Sequence, residues 1–226
     1  MTVTVHRLPV DTLSSDDIER WRTIPAAVAV DVSRAACQID PAIRPLCPPG
    51  RQPHLFGRAV TARCEPPDFS AVLHALELIK PGDVLMIDAE GHIDTAMIGE
   101  IIGGHLRRLG AHGFVCDGAV RDVAELASWP DFSVFARAIT PRGPMVGERG
   151  AVNGEVMIGG RRVNPGDLII GDDDGLAALN ADAVRSLIEA AEAKLALEAA
   201  WQADLAAGRS VAATFGLAPA GDAISA

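Results

Sequence analysis

The apolar positions of the chain change period several times, and each change marks an element. Ser14-Ser15-Asp16-Asp17 ahead of Ile18-Glu19-Arg20-Trp21 has the form of a capped short helix, and a second helical stretch covers 24–36 after the Pro25 start. Prolines and a glycine over 40–53 break any period and predict a loop. Residues 56–64 read as a strand, and Val72, Leu73, Leu76 and Ile79 fall at helical spacing before Pro81-Gly82. The run 83–88 is continuously apolar with acidic ends, the pattern of a strand covered on both faces. A helix over 101–109, a buried strand over 114–116, an Asp117-Gly118 turn and a short helix over 123–126 follow. Strands at 133–138, 155–158 and 161–163 make the second half β-rich. The longest helical pattern is 180–207, capped by Asn180 or Asp182 and stopped by Gly208. Its apolar stripe runs Val184, Leu187, Ile188, Ala191, Leu195, and the next position on it is Glu198.

These elements predict an α/β fold in one domain over 1–226, with a helical N-terminal segment at 1–55, a C-terminal helix at 180–208 and a tail at 210–226. A short echo links Pro81-Gly82-Asp83 and the strand after it to Pro165-Gly166-Asp167 and its strand, too brief to establish a repeat.

Composition narrows the function. The net charge of −10, with no clustered Lys and Arg, argues against a nucleic-acid surface and fits a small metabolite or a basic protein partner. No basic-then-apolar leader and no apolar run near the ~20 residues of a membrane span are present, so a soluble, cytoplasmic protein without a membrane partner is expected. Cys37, Cys47, Cys64 and Cys116 form no C-x-x-C pair and read as reduced thiols. Lysine occurs only at 80 and 194, and neither position looks buried enough for imine chemistry.

Candidate chemistry gathers at 99–122. A helix start at Gly99-Glu100-Ile101-Ile102 could offer free N–H groups to a carboxylate, or Gly103 and Gly104 could simply serve helix–sheet packing. Arg121 and Asp122, just after a buried strand, could supply a guanidinium fork and a hard oxygen ligand; otherwise they form a solvated turn, with Asp122 capping its own helix. A strand–loop–helix–strand unit of this length brings the helix start and the Arg-Asp pair to one sheet edge. Asp172-Asp173-Asp174 reads as a solvated turn rather than a cation site, and His105 and His112 as surface or packing residues. Glu198 could cross a subunit boundary or rotate into solvent.

The segments Phe56-Gly57-Arg58-Ala59-Val60-Thr61, Gly99-Glu100, Asp117-Gly118-Ala119-Val120-Arg121-Asp122 and Pro165-Gly166-Asp167-Leu168-Ile169-Ile170-Gly171-Asp172 resemble the family named after the regulator of ribonuclease E activity A. Its catalytic members are 4-hydroxy-4-methyl-2-oxoglutarate aldolases. The resemblance implies a swivelling β/β/α fold and a homotrimer or hexamer with active sites between subunits. It assigns Gly99, Glu100, Ile101 and Ile102 to the pyruvyl carboxylate, Arg121 to the substrate, and Asp122 to Mg²⁺ or Mn²⁺ through waters. A neighbouring subunit's glutamate, Glu198 or, second, Glu192, would complete the outer shell of the metal. The implied reaction is metal-dependent cleavage of a 4-hydroxy-2-oxo acid to pyruvate through an enolate, with oxaloacetate decarboxylation at the same site and Glu100 orienting the proton-carrying water. The rival is a non-enzymatic regulator that binds a ribonuclease or helicase; a methyltransferase is weaker, because no glycine-rich cofactor loop follows a first strand.

Overall fold

The computed structural model describes residues 2–7 and 13–218. In chain order, β1 (Thr4–Val5) precedes α1 (Ser15–Trp21), α2 (Ala26–Val32) and β2 (Arg44–Pro45). Next come β3 (Leu55–Arg63), α3 (Ser70–Leu76), β4 (Val84–Ile98), α4 (Glu100–Arg108), β5 (Gly113–Val120), α5 (Val123–Leu126) and β6 (Ser133–Ile139). Short strands β7 (Ala151–Val152), β8 (Val156–Ile158), β9 (Arg161–Val163), β10 (Leu168–Asp172) and β11 (Gly175–Leu179) lead to α6 (Ala181–Ala206) and α7 (Val211–Phe215).

Strands β3, β4, β5 and β6 are parallel neighbours in sequence order, each joined to the next through one helix. Parallel strands covered on both faces need apolar residues throughout, and every residue of β5 is buried. The first half of β3 pairs antiparallel with β10, from Leu55 to Arg58, while Ala59 to Arg63 pair with β4. One strand therefore belongs to two sheets, which gives the α/β architecture its two β layers. Helices α1 and α2 pack on α6 and β10–β11 around fully buried Trp21, whose indole Nε1 donates to the Val184 carbonyl at 2.9 Å.

The echo in the sequence is one turn built twice. Gly82 and Gly166 both have φ +88°, and Pro at the preceding position supplies the other half of a type II turn. Asp83 Oδ2 accepts from Lys80 N and Asp167 Oδ2 from Asn164 N, each at 2.8 Å. Both turns abut the middle of β3: a Cβ on Gly57 would lie 2.0 Å from the Gly82 carbonyl oxygen, and Gly166 N donates to Ala59 O.

Several expectations change. The predicted helical 1–55 segment contains strands at both ends of its described part, and residues 1 and 8–12 lie outside the description. Strand β4 does not stop at 88 but runs to Ile98, its register to β5 shifting at His92 and Ala96 after Glu90 (φ +53°) and Gly91 (φ +71°). The polar residues of this bulged half hide it from a search for apolar runs. Asp117-Gly118 is not a turn but the interior of β5: the buried Asp117 carboxylate accepts from Gly159 N and Arg137 Nε, tying the β8–β9 hairpin to the sheet. Asp172, read as part of a solvated turn, accepts from Ala26 N at 2.8 Å and so caps α2, whose N-cap Pro25 has no side-chain acceptor. Part of the predicted tail forms α7, where Phe215 meets Trp201 with ring centroids 4.9 Å apart; residues 219–226 lie outside the description. No described helix is long and apolar enough to cross a membrane.

Candidate active site

Strands β4 and β5 end side by side, Ile98 opposite Val120, and the chain leaves each strand toward the same cavity. The next residue on β4 is Gly99, the N-cap of α4; the next two on β5 are Arg121 and Asp122. A Cβ at residue 99 would lie 2.3 Å from Asp122 Oδ2 and 2.8 Å from Arg121 Cγ, so any side chain there would displace the Arg121 and Asp122 side chains from these positions. The Gly99 backbone, at φ −149°, is ordinary extended chain; close approach alone favours glycine.

Asp122 adopts the left-handed conformation, φ +58° and ψ +38°. It occupies the N-cap position of α5, yet its side chain makes no capping bond there. The carboxylate instead accepts from Glu100 N at 3.1 Å, at the open end of α4. A solvated turn or a cap for its own helix is therefore not its arrangement. Arg121 Nε lies 3.5 Å from the same Oδ2, and both side chains remain more than a third exposed toward the cavity. Asp122 Oδ1 takes no hydrogen bond from a described residue. The N–H groups of Ile101 and Ile102, in the first turn of α4, have no carbonyl one turn earlier within the helix and face an anion-favouring dipole end.

The cavity holds about 270 Å³ and is walled by Phe69, Met97, Ile98, Ile102, Gly143 and Pro144, with Ile101 at 71% exposure. Gly143 packs on Arg121 so closely that a Cβ there would lie 2.7 Å from Nη1. The sequence reading missed Phe69, Gly143 and Pro144, although the Pro141-Arg142-Gly143-Pro144 cluster signals a fixed loop. The loop is continued by Met145, which exchanges backbone hydrogen bonds with Pro67 and Phe69, and buried Asp68 between them accepts from Ser70 N and Oγ and from Arg149 N. Gly103 packs chiefly on α5, where a Cβ would meet Leu126 at 3.0 Å, with Phe114 of β5 at 3.5 Å, and Gly104 faces Trp129, so the expected helix–sheet packing is mainly a helix–helix contact.

The two C-terminal glutamates do not line this cavity within one chain. Glu192 is held by Arg20 through two hydrogen bonds, 2.9 and 2.7 Å, and this pairing keeps its carboxyl below the usual range. Glu198 lies 3.4 Å from Lys194 Nζ, and Lys194 also meets Asp31 at 3.1 Å. Hydrogen bonding to Asp31, assisted by Glu198, raises the Lys194 ammonium above its ordinary value, the opposite of what an imine-forming amine needs. His105 is exposed, and His112 Nδ1 meets the Phe56 carbonyl, so both histidines sit as surface and packing residues.

Among the described residues, no three His, Cys, Asp or Glu side chains gather as a self-contained metal site. Asp122 is the carboxylate in the cavity wall, and a single free oxygen fits a cation that keeps most of its waters, as Mg²⁺ does.

A candidate 4-hydroxy-4-methyl-2-oxoglutarate aldolase of Halalkalibacterium halodurans is 33% identical over 181 residues, covering 80% of this chain and 84% of the relative. The RNA-processing inhibitor RraA from Thermus thermophilis is 27% identical with a TM-score of 0.61, over 68% of this chain and 91% of that one. An uncharacterized protein from Pseudomonas syringae pv. tomato shares the fold at 18% identity, with a TM-score of 0.77 over 90% and 98% of the two chains. The RraA-like family model, described as Aldolase/RraA, matches residues 26–177, which include Gly99, Glu100, Arg121 and Asp122 and exclude α6. The chain belongs to the RraA-like family.

Proposed function

We propose that this chain is a divalent-cation-dependent carbon–carbon lyase that cleaves 4-hydroxy-4-methyl-2-oxoglutarate or a related 4-hydroxy-2-oxo acid to pyruvate, and decarboxylates oxaloacetate at the same site. The observation that carries the reading is the convergence of Arg121, Asp122 and the first turn of α4 on one cavity. Both reactions leave pyruvate enolate, so the site must accommodate negative charge at the former carbonyl oxygen.

The first-turn N–H groups of Ile101 and Ile102 receive the substrate carboxylate, with the N-terminal dipole of α4 in support. Arg121, its Nε near Asp122, turns its remaining guanidinium N–H groups to the substrate oxygens. Asp122 is oriented by Glu100 N and Arg121 Nε, leaving Oδ1 for a cation, Mg²⁺ or Mn²⁺; when bound, that cation supplies positive charge beside the developing enolate oxygen. Glu100, exposed between the cavity residues Gly99 and Ile101, orients the water that takes the substrate hydroxyl proton.

The active form is a cytoplasmic homotrimer or hexamer. Ile101, Met145 and Val146 leave apolar surface open at and beside the cavity, which fits coverage by a neighbouring copy, and Glu198 from such a copy would reach the outer shell of the cation. The test is pyruvate release from both substrates with Mg²⁺, Mn²⁺ or EDTA, using wild type and Asp122→Ala. Activity that needs the metal and disappears in the variant supports the reading; no pyruvate from either substrate with either metal overturns it. The alternative, a non-enzymatic regulator binding a ribonuclease, draws on the net charge of −10 and the Thermus relative, and it gives the Arg121–Asp122 cavity no role.

A further inference from the structure

A second cavity, of about 440 Å³, lies where β1, β7 and β3 run side by side, and it shares no wall residue with the first. Strand pairing assembles it. His6 N donates to Val152 O at 2.9 Å, Arg63 stands opposite Ala151, and Asn153 N donates to Thr61 O at 2.9 Å. His6, Arg7 and Arg63 thereby converge on one space. The His6 ring lies against Gly154, where a Cβ would be 3.1 Å from Cδ2.

Two observations point to a ligand. First, among the described residues none of His6, Arg7 and Arg63 has an ion-pair partner, in a chain whose net charge is −10. Glu155, which also lines the cavity, is drawn to Arg162 at 3.3 Å. Second, Asn153 is 5% exposed, lines the cavity, and buries its Oδ1 without a hydrogen-bond partner. Buried amide oxygens are ordinarily paired, and unpaired cations at a concave surface concentrate anions. His6 and Arg7 precede the family match at 26–177, so the complete cluster is a feature of this chain rather than of the matched region.

We propose that this cavity binds a small multivalent oxyanion, with Arg7 and Arg63 on its charged oxygens, His6 at its side and Asn153 Oδ1 accepting from a hydroxyl of the same molecule. The volume suits a molecule the size of a phosphorylated or polycarboxylate metabolite. Guanidinium groups supply the planar, paired donors that phosphate and carboxylate share.

The test is calorimetric titration of inorganic phosphate and of citrate at low ionic strength, in an Arg121→Gln background so that the first cavity does not contribute. A saturable one-site isotherm is expected, weakened at least tenfold by Arg63→Gln and likewise weakened by Arg7→Gln in the exposed segment just after β1. With citrate, which carries a hydroxyl, Asn153→Gly, a change its φ of +56° tolerates, is expected to weaken binding about threefold or more. Arg108→Gln, an exposed cation on α4, should leave both isotherms unchanged. Tighter phosphate assigns a phosphate ester and tighter citrate a polycarboxylate. No saturable binding, binding indifferent to Arg63→Gln and Arg7→Gln, or equal weakening by Arg108→Gln overturns the site.

Discussion

Asp122 Oδ2 stands 2.3 Å from where a Cβ on residue 99 would be, so the carboxylate occupies space that every residue except glycine would fill. Gly99→Ala must displace either Asp122 or the start of α4. The expected outcome is a loss of about 1–3 kcal/mol in urea unfolding, the usual scale of overpacking, together with at least a hundredfold loss of pyruvate release. Full activity in the alanine variant would show that the Asp122 position seen here is not the working one.

Asp122→Asn separates the structural use of the side chain from its charge. Asparagine tolerates φ +58° and keeps an oxygen for Glu100 N, so stability is expected to change by less than about 0.5 kcal/mol. Metal-supported pyruvate release is expected to fall at least hundredfold. Asp122→Ala adds a left-handed backbone penalty of about 1 kcal/mol, measurable as a lower unfolding midpoint than that of the asparagine variant.

The legible parts of the molecule were those governed by local rules. The capped start of α1 at Ser14, the stripe through Val184, Ile188 and Ala191, and the crossover helices all follow from spacing and short-range chemistry. Arg121 and Asp122 were visible as a pair because they directly follow a buried run. What spacing could not show was reach between distant segments: Asp122 capping α4 rather than α5, Asp172 capping α2, and Asp117 holding Gly159 each join residues far apart in sequence. Glu198 illustrates the converse. Its place on the stripe was correct, but the core ends near Leu195, so the helix continues past its own support with Leu197 and Leu205 exposed.

Asp68 governs the loop beside Arg121 from a fully buried position. Burial opposes its ionisation, yet hydrogen bonds from Ser70, Gly147 and Arg149 outweigh burial and hold the carboxyl below its ordinary range. A depressed folded pKa means that this contribution to stability is present above the unfolded value near 4 and is lost as pH falls through the folded value. Asp68→Asn puts a donor against donors, at a cost of about 2–3 kcal/mol. Because the cavity residues Gly143 and Pro144 lie just ahead of the Gly147–Arg149 segment that Asp68 holds, KM for the 2-oxo acid should rise more than kcat falls. Gly147→Ala, whose Cβ would lie 2.6 Å from Asp68 Oδ2, should reproduce that split; unchanged KM in both variants would limit Asp68 to a structural role.

Asp167 carries the opposite sign. Burial raises its carboxyl from the ordinary value to about 6, against the opposing hydrogen bonds from Asn164. The folded chain therefore holds a proton there that the unfolded chain releases near pH 4, and stability falls as pH rises from about 4 through 6. The penalty, up to about 3 kcal/mol, is nearly complete above pH 7 and vanishes below about pH 3, where both states hold the proton. Asp167→Asn keeps an oxygen for Asn164 N and removes the ionisation, so the variant should exceed wild type in stability at pH 8 and keep only about a third of that advantage at pH 4.5. Urea unfolding at the two pH values reads the difference directly. A variant less stable than wild type at pH 8 would mean that the ionised carboxylate, through its Asn164 bonds, supports the turn before β10 instead of straining it.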